Sequence, residues 1–510
     1  MFNNLFTEFQ NRFPENLSAP FITTRNGNIV RYSNVEEISS RFACLINELG
    51  VKPGDRVAVY VEKSPTALLL YLGCLRAGAV YVPLNTAYTG DELGYFLADS
   101  SPKLVVCDPS SRNNFRDRVE AQGISHLLTL DSAGRGGLQD QAKAFAGENY
   151  EAHPCGYDSL AAILYSSGTT GQPKGTMISH GALAENANDL HKAWKLGIDD
   201  VLLHALPIFH THGLFVATNT MLMNGTRMIL HDRFDADAII EDLSKVTLFM
   251  GVPTYYQRLL SNPAFSEDVC RTIRLFISGS APLLPETFAA FTKRSGHTIV
   301  ERYGMTEAGI ITSAGIDKPR CKGTVGLPLD GITLRIANDM DIPRAIGETG
   351  EIQIKGKSLF SGYWNQPEKT ASEHTHDGFF RTGDVGFIEP DGELKIVGRS
   401  KDMFISGGFN VFPKEIEQII NTIDGVDEAT VIGLPHPDFG EAGLAIIVSN
   451  GEAIDEDAVH ASLKKSLANY KLPKMIVQID ALPRNAMGKV QKNVLRKSYR
   501  SIWDSFIRNQ

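Results

Sequence analysis

The chain has 510 residues, with 50 Lys and Arg against 59 Asp and Glu, which leaves a formal net charge of −9 when the 13 His are neutral. That mild acidity excludes a general affinity for nucleic acid or anionic lipid, so any phosphate ligand must be held by a local site. With 43% apolar and 21% charged residues the chain is globular rather than disordered or fibrous, and its length suits roughly two to four domains.

Six cysteines (Cys44, Cys74, Cys107, Cys155, Cys270, Cys321) are scattered without a CxxC. This speaks against a disulfide framework or a zinc knuckle and fits a reducing compartment. Cys107, in the apolar run KLVVCD, reads as a buried thiol. The opening residues MFNNLFTEFQNRFPEN mix acids with apolar residues, unlike a secretory signal or a transit peptide. The longest apolar stretch, TALLLYLGCLRAGAVYVPL, is broken by Arg76 and by Gly and Pro, so it reads as helix then strand, not as a membrane span. The cytoplasm is the expected location.

In chain order, SNVEEISSRFACLINELG predicts a helix. Ser33 and Glu36 form its capping box, Phe42, Leu45, Ile46 and Leu49 its apolar face, and Gly50 its stop. DRVAVYV follows as a strand, LLLYLGCL as a buried helix, and AVYVPL and KLVVCD as further strands. Such alternation predicts α/β layers around buried, mostly parallel strands. DSAGRGGLQD reads as a surface loop. From about residue 320 the short strands TLRIAND, GEIQIKG and GELKIVG predict a small β subdomain. Beyond GRSKD, PKEIEQIINTIDGV puts Ile416, Ile419, Ile420 and Ile423 on one helical face; EATVIGL and GLAIIVS read as strands and DEDAVHASLKKSLANY as a helix. The expected architecture is therefore a large N-terminal α/β domain (1–398) with a β subdomain, a hinge at 399–402, and a small mobile α+β C-terminal domain (403–510).

The most informative segment is YSSGTTGQPKG, Tyr165–Gly175, after the apolar run LAAIL. Hydroxyls at Ser166, Ser167, Thr169 and Thr170 alternate with Gly168 and Gly171, and Lys174 follows. Glycines admit a ligand close to the backbone, successive amides and hydroxyls form an anion nest, and the lysine adds a point charge for phosphate. It is not the common G-x-x-x-x-G-K-[ST] loop: counted from Gly168, Pro173 takes the second glycine's place and Gly175 the place of the magnesium-binding hydroxyl.

This segment resembles the signature of the adenylate-forming enzymes, which include acyl-CoA synthetases, the adenylation domains of peptide synthetases, and beetle luciferase. Further pieces in the family's order extend the resemblance over nearly the whole chain. It implies that the loop folds over the phosphates of ATP. In ERYGMTE (301–307) it implies that Tyr303 stacks on adenine, that Gly304 and Met305 line the nucleotide, and that Thr306 contacts the α-phosphate. Glu307, with Thr170, would hold Mg2+, a hard carboxylate for a hard cation. FISGSAP (276–282) implies an adenine-side wall at Ser280 and Ala281; FRTGD (380–384) and GRSKD (398–402) place Asp384 and Arg399 on the ribose. In PRNAMGK (483–489), Lys489 is the late catalytic lysine, stabilising charge that builds as a carboxylate attacks the α-phosphorus. Lys401 takes the hinge position, and Gly407, Gly408 and Phe409 of SGGFNVFP the path of the pantetheine arm. Only 21 residues follow Lys489, too few for a carrier domain, so free CoA is the expected thiol donor.

Two arginines bear on the acid. Arg274 lies about 20 Å upstream of Ser280 along an extended strand, at the end away from the site. Arg258 shares a helix face with Thr254 at i and i+4 in GVPTYYQRLL, and a guanidinium turned into an acyl pocket calls for an anion there. With Ser280 and His210 it would cradle a second carboxylate. YVPLNTAYTGDELGYF, ALPIFHTHGLFV, GVPTYYQRLL, RLFISGSAPLL and ERYGMTE together look most like malonyl-CoA synthetases. The expected reaction is ATP-dependent ligation of malonate or methylmalonate to CoA. The alternatives are a ligase for a short- or medium-chain monocarboxylic acid and a non-catalytic nucleotide-binding scaffold. His210 and His212, without a nearby carboxylate, are a weak zinc signal.

Overall fold

The computed structural model describes residues 2–503, apart from 89, 147–149, 167–172, 318–322, 450, 452–453, 486–487 and the side chain of residue 410. The alternation of apolar strands and helices produces the expected α/β layers. A nine-stranded sheet has Val201–His204, Leu248–Gly251, Leu275–Ser278 and the first part of Ile299–Met305 as adjacent parallel strands. A seven-stranded sheet is built around Val80–Pro83, Arg56–Tyr60 and Leu104–Cys107, again parallel. These strands are buried throughout or nearly so, and therefore read as continuous apolar runs. A four-stranded antiparallel sheet, Ile332–Ala337 to Leu394–Arg399, is the β subdomain. A five-stranded sheet spanning residues 404–478, flanked by Pro413–Ile420 and Glu456–Ser466, forms the small α/β unit at the C-terminal side. Among the described residues no helix is long and apolar enough to cross a membrane.

Local signals explain most boundaries. Pro65–Ala77 starts on a Ser64 cap that accepts from the Ala67 amide, and stops at left-handed Gly78. The preceding helix, Tyr32–Glu48, corrects the expected cap. The Asn34 side chain accepts from the Arg31 amide, so the helix enters two residues before Ser33. Glu36 instead pairs with the buried Arg76 at 3.0 Å. The expected loop DSAGRGGLQD runs into a short helix, Gly137–Ala142.

Candidate active site

The strand Ile299–Met305 runs through the centre of the candidate site. Successive side chains of a strand point to opposite faces. Tyr303 and Arg302 are therefore aimed apart.

On the Tyr303 side, the phenol donates to Asp384 Oδ2 at 2.6 Å, and Arg399 Nε lies 2.8 Å from Asp384 Oδ1. Asp384 and Arg399 are directly opposed residues of antiparallel strands, so the ladder itself presents the pair. Burial, then Asp384, raises the Tyr303 pKa and keeps the phenol protonated. Thr306 is half-buried one turn of chain away. Glu307 is buried and its Oε1 accepts from the Tyr363 hydroxyl at 3.0 Å. Lys174 Nζ lies 4.8 Å over the Tyr363 ring and 3.9 Å from Glu373. Tyr363 thus braces both the lysine and the carboxylate. No motif in the sequence singled it out.

Ser166 and Lys174 face each other at the mouth of a β-hairpin. Its base is tied down where Tyr165 donates to Asp99 at 2.6 Å and Tyr95 to the Pro173 carbonyl at 2.8 Å. Ser167, Gly168, Thr169 and Thr170 lie outside the described residues.

On the Arg302 side, the residue is 6% exposed and its guanidinium lies flat against Gly279. A Cβ at Gly279 would sit 2.3 Å from Arg302 Cζ, so a side chain there would have to push the guanidinium aside. Burial lowers the Arg302 pKa to about 9, which still leaves it charged at neutral pH. Among the described residues Nε and Nη2 have no hydrogen-bond partner, and neither do His212 Nε2, Thr211 Oγ1 and Ser278 Oγ. Ser280, held at φ +72°, bonds His212 Nδ1 at 3.2 Å. A left-handed serine is costly backbone, of the kind found at working sites. Burial, then Arg302 and Lys489, holds the His210 pKa down at about 4, and burial likewise keeps His212 neutral. The pocket therefore gathers positive charge, and among the described residues no carboxylate pairs with Arg302. His210 and His212 belong to no cluster of three or more metal-binding side chains among the described residues.

Lys489 enters the same cleft from the C-terminal unit. Arg484 and Val490 form a β-bridge across its loop, and Gly488, at φ +74°, packs near Thr254. The lysine is hemmed in by Arg399, Asp384, Lys401 and Asp402 yet open to solvent along the cleft, and burial, then Arg399, brings its pKa down to about 8. Lys401 is exposed in the short turn Ser400–Asp402 that joins the units, and Asp402 pairs with Arg496 at 3.0 Å. Gly407 and Gly408 have positive φ, and exposed Phe409 stacks on Tyr470 at 4.6 Å.

Two expectations about arginines part here. Arg274 sits at the start of Leu275–Ser278, away from the cleft, in an ion pair with Asp200 at 2.7 Å. Arg258 is exposed, not buried in the pocket. Its helix Pro253–Leu260 does put Thr254 toward the Lys489 loop, but a long flexible side chain one turn on reaches water instead. The buried guanidinium is Arg302.

A large α/β body, the hairpin that brings Ser166 to Lys174, the Asp384–Arg399 pair and a lysine carried by a small C-terminal unit are the features expected of an adenylate-forming enzyme. The chain belongs to the AMP-binding enzyme family, which it matches over residues 6–364, with the C-terminal domain of the same family over 415–489. Its fold superposes on ATP-bound MatB from Rhodopseudomonas palustris with a TM-score of 0.96, at 46% identity over 98% of this chain and 100% of that one. Apo MatB, at 46% identity over 98% of this chain and 100% of that one, gives 0.84. Feruloyl-CoA synthase from an Amycolatopsis species is 35% identical over 91% of this chain and 93% of its own length. Malonate–CoA ligase from Arabidopsis thaliana is 33% identical over 88% of this chain and 79% of its own.

Proposed function

We propose that this AMP-forming acid–CoA ligase takes malonate, or methylmalonate, and that Arg302 holds the carboxylate that does not react. The observation that carries the reading is a buried guanidinium with two nitrogens, Nε and Nη2, that have no partner among the described residues, beside neutral His212 and Ser280. A buried unpaired charge is strongly unfavourable, and the remedy is an anion. A short diacid supplies one while presenting its other carboxylate to ATP. The Arabidopsis malonate–CoA ligase supports this choice; the feruloyl-CoA synthase shows that such resemblance extends to aryl acids, for which a buried charge would be an obstacle.

In the first step a carboxylate oxygen bonds to the α-phosphorus and the bond to pyrophosphate breaks, giving acyl-AMP. Lys489 neutralises charge on the transferring and leaving groups, and Thr306 meets the α-phosphate. Tyr303, with Gly304, Met305, Ser280 and Ala281, lines the base; Asp384 and Arg399 take the ribose; Ser166, Ser167, Gly168, Thr169, Thr170 and Lys174 hold the phosphates. Glu307 suits Mg2+, since it is a buried hard donor with one oxygen committed to Tyr363, and Thr170 would join it. The metal would offset the charge on the phosphates. In the second step the CoA thiol sulfur bonds to the acyl carbon, AMP leaves and the thiol proton is released. Lys401 serves as the hinge between steps, and Gly407, Gly408 and Phe409 border the thiol's path. His210 lines the acid pocket; Arg258, at the surface, has at most a steering role.

Pyrophosphate release with malonate, methylmalonate, succinate, acetate, octanoate and ferulate, each with ATP, Mg2+ and CoA, tests the reading. Malonate or methylmalonate should give the highest kcat/KM. A clear preference for octanoate or ferulate would refute the diacid assignment and leave the nucleotide chemistry standing.

A further inference from the structure

A second buried cluster adjoins the acid pocket and takes no part in the chemistry above. Lys63 follows the strand Arg56–Tyr60 of one large sheet, and His204 closes the strand Val201–His204 of the other. Lys63 is 7% exposed and His204 1%. The Lys63 amine lies 3.0 Å from His204 Nδ1 and donates to the His204 carbonyl at 2.9 Å. A buried lysine is ordinarily paired with a carboxylate. Here it meets an imidazole and a carbonyl, and burial holds its pKa well below the lysine range, with Asp232 acting against that.

The acceptors fix the arrangement. His204 Nε2 is 2.9 Å from the Gly213 carbonyl, which can only accept, so Nε2 carries the ring proton. Burial keeps the ring neutral. Nδ1 is then bare and accepts from Lys63. The Thr218 hydroxyl donates to the same Gly213 carbonyl at 3.0 Å. Gly213 directly follows His212 in the π-helical segment His212–Asn219, a geometry frequent at functional sites. The turn is closed tightly on itself: a Cβ on Gly213 would lie 2.0 Å from the Pro207 carbonyl oxygen.

We propose that Lys63 is a positioning residue for the acid pocket: through His204 it clamps the Gly213 carbonyl, and so fixes the π-helical turn that sets His212 against Ser280 beside Arg302. The amine is also a strut between the two large sheets, reaching from one to the last residue of a strand in the other. This rests on the cleft being the acid pocket, not on which acid enters it.

Lys63→Met keeps the length of the side chain and removes its donors. Pyrophosphate release by the folded variant should show a malonate KM raised about tenfold or more while the ATP KM stays within about twofold. His212→Ala should raise the malonate KM by itself, and Lys63→Met should add little to it, because both act through one turn. Thr218→Val removes the other donor to Gly213 and should repeat the pattern more mildly; it decides the matter if Lys63→Met does not fold. An unchanged malonate KM in the folded variants, equal rises for malonate and ATP, or full additivity with His212→Ala would overturn the proposal. Failure of the wild type on malonate would sink the substrate reading alone, and the same comparison would then use whichever of acetate, octanoate or ferulate the wild type adenylates.

Discussion

Arg302 and Tyr303 are neighbours in sequence and point to opposite faces of one strand, so in the proposed reading two adjacent side chains divide acid from nucleotide. The division makes Arg302→Met a sharp probe. Hydrogen bonds to a charged group contribute about 1.5–3 kcal/mol, so malonate kcat/KM should fall by roughly 10- to 150-fold. The ATP KM should hold steady. Replacing an unpaired buried charge by an apolar side chain is often neutral or stabilising. We therefore expect the Arg302→Met protein without ligand to melt at or above the wild-type temperature, and malonate to raise the melting temperature of the wild type only. Calorimetry with and without malonate checks both. Arg258→Ala, a change at the surface, should lower malonate kcat/KM less than Arg302→Met does in parallel assays. Lys489 adds a pH dependence. If, as proposed, its charged form assists adenylation, then with its pKa brought down to about 8 kcat/KM for pyrophosphate release should fall as pH rises through that value. Lys489→Arg should carry the descending limb out of the accessible range, which a pH profile of the two proteins would show.

At the scale of elements, the sequence was legible where one signal dominates. Buried parallel strands such as Leu104–Cys107 announce themselves as short apolar runs, and Pro65–Ala77 is framed by its serine cap and its glycine stop. The misreadings share a cause: a local pattern was decided by a partner distant in sequence. Ser33 and Glu36 satisfy the capping pattern, yet Arg76, 40 residues on, claims Glu36. Thr254 and Arg258 do share a helical period, but periodicity places Cβ atoms and does not bind the tip of an arginine. Arg302 was passed over inside ERYGMTE because its neighbours carry the family's motif, and a strand residue's burial depends on what packs over it. The π-helical segment has no simple text signature, and the partners of its Gly213 carbonyl include His204, a residue of a neighbouring strand. Tyr363 likewise gains its importance only from what surrounds it. Tyr363→Phe removes its hydroxyl from Glu307 and leaves the ring under Lys174. Loss of one such bond to a charged group should raise the ATP KM by about tenfold with little change in the malonate KM. Initial-rate kinetics with each substrate varied in turn would separate the two.

At the scale of the whole molecule, Lys489, the lysine proposed for the first step, belongs to a unit joined to the main body through the turn Ser400–Asp402. Its arrangement agrees more closely with the ATP-bound than with the apo form of MatB. With Lys489 in the cleft, Gly407, Gly408 and Phe409 remain at the surface. In the proposed scheme the two steps call on different faces of the C-terminal unit. Lys489→Ala should abolish pyrophosphate release with malonate but still convert chemically prepared malonyl-AMP to malonyl-CoA at a rate near that of the wild type. Rapid-quench measurement of each half-reaction would decide, and equal loss in both would contradict the separation.

The bare α-carbon at Gly279 has a consequence for redesign. A methyl group there collides with the guanidinium, so Gly279→Ala would displace Arg302 and spoil diacid use even with every ligand-contacting side chain intact. Conversely, once Arg302 is exchanged for a small residue the reason for a glycine disappears. A path from this enzyme toward bulky uncharged acids therefore has a preferred order: with the arginine removed first, position 279 is free to become a wall for the new substrate.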